Sequence, residues 1–567
     1  MKAVKSRLQF FPLITLAAFL LPILVGLLGT WLPAFGYLPV VGAQEFSLTP
    51  FIQLFAHPST WPSLKVTLVS GLVASGLAFF ISQWLALSLY GSKTWQILIR
   101  SLSPLLAIPH AAFAIGFAFL ISPSGWMIRL ISPEVSGFES PPDWSTVKDP
   151  WGISLTLALC LKEIPFMLLM TLSALNRIDV DRTMILGKSL GYRQGTVWIK
   201  MIFPQIYGSL KLPLFAVLAY SLSVVDIAMI VGPSAPPTFA LLVNRWFNDP
   251  DTLYRLVGAA GATTLFLLVA VSFLLVNGLE WLCKKAASDW IVNGNRASIS
   301  HYFSGIAKGF NWVIISVTVF SLVTLVVWSF ARAWRFPDSL PSKWSLKFWQ
   351  KGWAQLTDPF WITVITGLVA ICVAIVLVVG CLEYENRLKQ KGIQANTHQI
   401  LWLIYLPLLI PQIAFMFGVQ VSLISLHAEG TWVALVWSHL MFVVPYVFLT
   451  LANIYRNYDQ RFVLVAVGLN KSLWRSFLKV KLPMLLKPIA FAMATGFAVS
   501  VAQYLPTLYV GAGRFATITT ETVNLASGSD RRIVAVFALW QFIVPLVMYA
   551  LAILLPNWIF RHRKAMT

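Results

Sequence analysis

Apolar runs of eighteen or more residues, separated by short polar stretches, recur from near Phe11 to near Ile559. A run of that length crosses the roughly 30 Å hydrocarbon core as a helix, because a helix rises about 1.5 Å per residue and satisfies its own backbone. The pattern predicts spans near residues 12–32, 66–90, 101–122, 150–175, 206–232 and 256–282, and again near 311–331, 359–382, 400–426, 431–454, 485–511 and 533–559. These form two sets of six, with 1–283 as a first half, 311–567 as a second, and the polar segment 284–310 as a linker. The expected fold class is an all-α polytopic membrane protein of about 12 transmembrane helices. An internal match supports the repeat: Pro109-His110-Ala111-Ala112-Phe113-Ala114-Ile115-Gly116 recurs as Pro411-Gln412-Ile413-Ala414-Phe415-Met416-Phe417-Gly418, displaced by 302. Both halves start on the same side, so their pseudo-two-fold axis runs along the membrane normal.

Composition agrees with this pattern. Of 567 residues, 58% are hydrophobic and 11% charged, which excludes a soluble domain. The net charge of +21 has a membrane explanation, and no nucleic-acid partner is expected. With the N-terminus inside, the inner segments hold 26 Lys and Arg and the outer loops 11, so both termini are expected in the cytoplasm, the cationic loops touching anionic lipid. Lys2, Lys5 and Arg7 precede a run that continues to about Leu32, an uncleaved first span by expectation. Cys160, Cys283, Cys372 and Cys381 form no Cys-x-x-Cys pair and read as packing residues, with no metal or disulfide framework.

A second repeat lies in two of the inner loops, near 179–204 and 459–483. Gly187-Lys188-Ser189-Leu190-Gly191 is followed thirteen positions after Gly191 by Pro204, and Ala466-Val467-Gly468-Leu469-Asn470 is followed thirteen positions after Asn470 by Pro483, next to Leu482. Gly191 or Asn470 can end a short helix in a left-handed conformation, and the proline then directs the chain back into the bilayer. Arg193, Trp198 and Lys200 lie between these points in one copy, and Trp474, Arg475, Phe477 and Lys479 in the other. Such a unit is either a basic connector or a short helix that docks in a groove of a soluble partner. Repetition at equal spacing favours docking.

These loops resemble the cytoplasmic signature of permease subunits of binding-protein-dependent ABC importers, a Glu-Ala-Ala, three residues, Gly pattern with Leu-Pro thirteen residues on. Gly191 and Pro204 fall on that glycine and proline, and Ala466, Leu482 and Pro483 on its second alanine, leucine and proline. Ile185 and Leu464 stand where the glutamate is expected, and Asn470 replaces the second glycine. The likeness covers nearly the whole chain and is greatest to the fused, double-length permeases of the iron(III), thiamine and polyamine group. It implies a bacterial cytoplasmic membrane, two copies of a separate ATPase on the two loops, a soluble periplasmic or extracellular substrate-binding protein at the outer face, and no cofactor. An ion-coupled secondary transporter with parallel repeats is the alternative that the span count alone leaves open.

Polar groups inside spans are the candidates for a solute path, since each is expensive there. They include His110, Glu163 beside Lys162, Asp226, Gln412 and Gln503, with His439 and Gln541, and the Pro109, Gly116, Pro411 and Gly418 positions of the third spans. Either they line the path, the acids compensating a cationic solute, or they satisfy kinked backbone and pack helices together. The outer loops 124–150 and 233–255 carry Trp126, Trp144 and Trp246, expected to be exposed either to a binding protein or as interface anchors. No catalytic constellation is visible. Gly187-Lys188-Ser189 echoes a phosphate loop, but Arg182 stands where that loop needs glycine.

Overall fold

The computed structural model describes residues 7–294, 296, 303–390, 392, 397–470 and 472–561. Its main helices are α1 (Phe10–Ala34), α2 (Thr60–Leu89), α3 (Lys93–Ala107), α4 (His110–Ile121), α5 (Ile153–Leu175), α6 (Val180–Ser189), α7 (Gln194–Val197), α8 (Phe203–Ser223), α9 (Asp226–Val231), α10 (Phe239–Phe247) and α11 (Tyr254–Val292). The same sequence of elements then repeats as α12 (Phe303–Phe330), α13 (Lys347–Gln390), α14 (Thr397–Leu409), α15 (Gln412–Ser425), α16 (Trp432–Arg456), α17 (Arg461–Asn470), α18 (Leu473–Ser476), α19 (Leu486–Val501), α20 (Leu505–Gly511), α21 (Ile518–Ala526) and α22 (Arg531–Ile559). A two-stranded antiparallel ribbon, β1 (Ala331–Ala333) with β2 (Lys343–Trp344), comes after α12. Among the described residues, ten helices are long and apolar enough to cross a membrane, or up to twelve counting two bent pairs as single spans.

Several expected spans change shape. The third span of each half is broken: α3 stops at Ala107 and α4 starts at His110, while the second half turns by 97° between α14 and α15. Pro109 and Pro411 sit at the N-caps of α4 and α15, where the missing N–H costs nothing. The fifth spans end early, at Ser223 and Val501, and the chain continues as the short helices α9 and α20. The linker is shorter than expected, because 284–292 extend α11 and 303–310 open α12; residues 295 and 297–302 lie outside the described residues.

The outer segment 233–255 is not an exposed loop. It holds α10, whose Phe239, Ala240 and Val243 are fully buried and whose Trp246 is 4% exposed. Gly258 and Gly261 of α11 admit it: a methyl group there meets Phe247 and Val243 at 2.8 and 2.7 Å. Trp126 is buried as well and donates its indole N–H to the Ser339 carbonyl at 2.9 Å. Of the three tryptophans only Trp144 is exposed. Cys283 and Cys372 are exposed rather than packed, and all four cysteines are free.

The two halves interlock. α1 packs chiefly along α15 of the other half, and α12 packs along α4 of the first. Small residues allow the backbones to touch, as lipid-embedded helices require in the absence of a hydrophobic drive between them. A methyl group on Gly418 would overlap the Gly26 carbonyl oxygen, and one on Gly116 would overlap the Ser321 carbonyl oxygen. Thr30 reinforces the first contact by accepting the Gly418 N–H at 3.1 Å. Gly418→Ala is therefore expected to lower stability by about 1–3 kcal/mol, whereas Gly278→Ala, with open space around it, has no such cost; thermal unfolding in detergent distinguishes them.

Candidate functional site

Two regions on the molecule combine the sequence candidates. The first is the face carrying the repeated loops. In the first loop α6 ends in a Schellman turn: Gly191 has φ +83°, its N–H donates to the Lys188 carbonyl at 3.0 Å, and the Tyr192 N–H donates to the Gly187 carbonyl at 3.0 Å. Gly187 lies where α6 meets α7, and a methyl group there would overlap the Val197 side chain. A displacement of 279 carries the first loop onto the second, pairing Gly187 with Ala466 and Val197 with Ser476. The added methyl of Ala466 is matched by the smaller Ser476, and both are buried. α7 and α18 each pass into a π-turn, Trp198–Ile202 and Phe477–Lys481, at the same displacement. Pro204 and Pro483 then lie in the first turn of the next helical segment. Asn470 is the last residue of α17.

Three positions give both loops the same outward face. Ile185, Leu186 and Leu190 are 68, 51 and 54% exposed, and their counterparts Leu464, Val465 and Leu469 are 64, 66 and 85% exposed. The two departures from the signature glutamate thus sit on this face. These large apolar side chains stand uncovered at matching positions of the two loops.

The second region lies between the halves, where the helices are broken. Breaking α3 from α4 frees carbonyls within the membrane, and the buried Lys162 of α5 donates to two of them, Leu105 O at 3.1 Å and Ile108 O at 2.5 Å. An ammonium at a helix C-terminus also meets the negative end of its dipole. The adjacent Glu163 is 6% exposed and its Oε1 lies 3.7 Å from His110 Nε2. The His110 ring stacks obliquely on Tyr220, with centroids 5.0 Å apart. Asp226, at the start of α9, is within electrostatic reach of His110 and Tyr220, and Tyr446 of the second half is within reach of Glu163. His110, Tyr220, Asp226 and Tyr446 are each partly exposed. The structure thus gathers His110, Glu163 and Asp226 into one seam.

Other candidates go elsewhere. Gly116 and Gly418 are occupied by the interlocked helices, and Pro109 and Pro411 shape the breaks. Gln412 is half-buried beside Pro411, and Gln503 lies in the break before α20 with its Nε2 donating to Val499 O at 3.2 Å. His439 is held between Ser500 Oγ at 2.8 Å and Thr507 Oγ1 at 2.9 Å, and Gln541 donates to Thr519 Oγ1 at 2.7 Å, so both cross-link helices. Tyr220 and Tyr446 are absent from the sequence candidates. Their signal was a hydroxyl embedded within an apolar run, which needs a polar neighbour.

Above this seam the halves meet again. Tyr504 donates to Met229 Sδ at 3.4 Å, Tyr509 donates to Asn244 Oδ1 at 3.0 Å, and Phe247 stacks on Phe417 with centroids 4.1 Å apart. Beyond them, on the face away from the loops, opens a cavity of about 390 Å³ lined by both halves, including Asn244, Tyr504 and Asn524.

Two interlocked helical repeats, a polar seam between them and a matched pair of loops on one face define a membrane permease. Residues 423–563 match the family described as binding-protein-dependent transport system inner membrane component. The chain is also 31% identical over 529 residues to the inner membrane ABC transporter permease protein YnjC of Escherichia coli strain K12, covering 92% of this chain and 94% of that relative. The chain belongs to the ABC transporter permease family. It is a multi-pass transmembrane permease subunit of an ABC importer, a transport subunit and not an enzyme.

Removing the Lys162 ammonium leaves two carbonyls unpaired in the membrane. Lys162→Met is expected to destabilise by about 2–4 kcal/mol, and Cys372→Ala on the exposed surface to be neutral; thermal unfolding of the detergent-purified chain measures both.

Proposed function

We propose that this chain is a fused, double-length permease that forms the whole solute path, with 1–283 and 311–567 as its two halves and the loop face in the cytoplasm. The exposed apolar triads at matching positions of the two loops carry this reading. Each supplies the same surface to a soluble partner, so two copies of a separate ATPase dock there, one per loop. The excess of Lys and Arg on the loop side supports the orientation, with both termini cytoplasmic and anionic lipid around the basic loops. A substrate-binding protein delivers solute to the opposite face, near the cavity shared by the halves.

Closure of the ATPase pair moves the docked loops. The motion is carried by α8 and α19 to the breaks before α9 and α20, where the contacts of Tyr504 with Met229 and Tyr509 with Asn244 separate. Solute then passes the seam between the halves. Glu163 and Asp226, with the faces of Tyr220 and Tyr446, favour a positively charged solute, in keeping with the iron(III), thiamine and polyamine group that the sequence resembles. A specific choice among these belongs to the binding protein.

The test is co-purification in mild detergent of the chain with a nucleotide-binding subunit identified by its peptide masses. Leu190→Asp with Leu469→Asp, both on exposed positions, is expected to lower the bound ATPase about tenfold or more at equal membrane level. Retention unchanged, together with uptake that collapses with the proton gradient, overturns the reading. For the seam, Glu163→Gln with Asp226→Asn is expected to slow uptake of labelled thiamine or spermidine about tenfold while ATPase binding persists.

A further inference from the structure

The two loops share a register but are held in place differently. At the root of the first, Ile202 is fully buried in an apolar cluster with Leu85, Leu89, Val197 and Trp198, and the nearby buried Lys200 donates to the neutral Asn293 Oδ1 at 3.3 Å. The matching position of the second is Lys481, 1% exposed, whose Nζ lies 2.7 Å from Glu383 Oε2 on α13. Tyr455 of α16 donates its hydroxyl to the same oxygen at 2.7 Å, and Arg387 donates to Oε1 at 3.1 Å. The Lys481 ammonium also lies 4.1 Å from the Tyr455 ring centroid. Close by, Arg456 of α16 grips Glu385 of α13 through two hydrogen bonds, at 2.8 and 2.9 Å.

An apolar cluster with a lysine on one neutral amide tolerates sliding, because most of its contacts are non-directional and a bond to a neutral acceptor is weak. A buried ion pair does not, since the cost of desolvating both charges is offset only in one geometry. The second loop is therefore fixed against α13 and α16 at its root. Its path differs too: the chain bends by 71° between Leu473–Met484 and Leu486–Val501, whereas the first loop runs on from Gln194 to Ser223 as one helical stretch.

Their outward faces also differ in extent. Beyond the shared triad, the second loop exposes Phe462, Leu473 and Trp474 at 51, 53 and 59%. The first loop has Thr183, Gln194 and Gly195 at those positions. A larger apolar surface on a rigid mount binds more tightly, because less freedom is lost on association.

We propose that the two loops are unequal docking stations, the second, held rigid by the Glu383–Lys481 ion pair and presenting the larger apolar face, binding the ATPase more tightly than the first. Glu383 and Lys481 are positioning residues in this scheme. The proposal rests on the ATPase-docking reading above and is tested in two arms. In the full-length chain alone, in lipid nanodiscs, Glu383→Gln is expected to speed amide exchange across 473–484 about tenfold or more and to leave 180–202 unchanged. Exchanging the charges, Glu383→Lys with Lys481→Glu, brings most of the protection back. Equal speeding in both loops, or none in the second, overturns the rigid mount. In the ATPase-bound complex, Phe462→Ser with Trp474→Ser is expected to reduce retained ATPase after dilution about tenfold or more, and Ile185→Ser with Leu186→Ser about threefold or less. Equal losses or the reverse order overturn the inequality. A chain that passes the exchange arm but binds no ATPase in its native form refutes the docking reading, and the inequality falls with it while the rigid mount stands.

Discussion

The contact of backbone on backbone where α1 crosses α15 is the constraint on which the arrangement depends. Gly26 and Gly418 approach so closely that no side chain fits between them, and the matching crossing of α12 on α4 uses Gly116. Each half thereby gives its first helix to the other. The polar seam lies between halves that clasp each other, and the main apolar cluster draws residues from both. In a lipid solvent, where burial of apolar side chains gains little, such close approach is the available source of specificity.

Much of this was legible in the chain. Period and length of the apolar runs located the membrane-crossing helices, and the displacement of 302 between the Pro109 and Pro411 segments pointed to the repeat. What the pattern could not convey is that a hydrophobic stretch need not be one straight helix. Residues 101–122 and 206–232 are continuous in hydropathy but broken in space, because Pro109 and the Ser223-Val224-Val225 stretch interrupt the backbone without altering polarity. Residues 233–255 contain enough Asn, Asp and Pro to resemble a loop, yet α10 buries Val243, Trp246 and Phe247 in notches made by two glycines of another helix. Those glycines carry no signal until their neighbour is known.

For the site, the first loop was readable because its chemistry is local: helix, left-handed turn at Gly191, proline; in the second, Asn470 still belongs to α17 and only the spacing to Pro483 carried the reading. The seam was readable only in part. His110, Glu163 and Asp226 stood out as polar residues in apolar runs, but their convergence depends on three separate helices meeting at a break. Gly116 and Gly418 were drawn toward the path by their place near His110 and Gln412, while the geometry assigns them to the clasp. The ion pair of Lys481 with Glu383 joins residues 98 apart, and nothing in the local sequence of either indicates the other.

The break between α3 and α4 is served by a lysine that has no match in the other repeat. Aligned on Pro165 and Pro445, the positions of Lys162 and Glu163 hold Phe442 and Val443 in the second half. A pore built from two identical chains must carry every intramembrane charge twice, facing its own image across the axis. Joining the repeats in one chain lifts that rule: a lysine or an acid can be placed on one wall and hydrocarbon on the other. The seam is consequently asymmetric, holding a single charge without the repulsion of its duplicate.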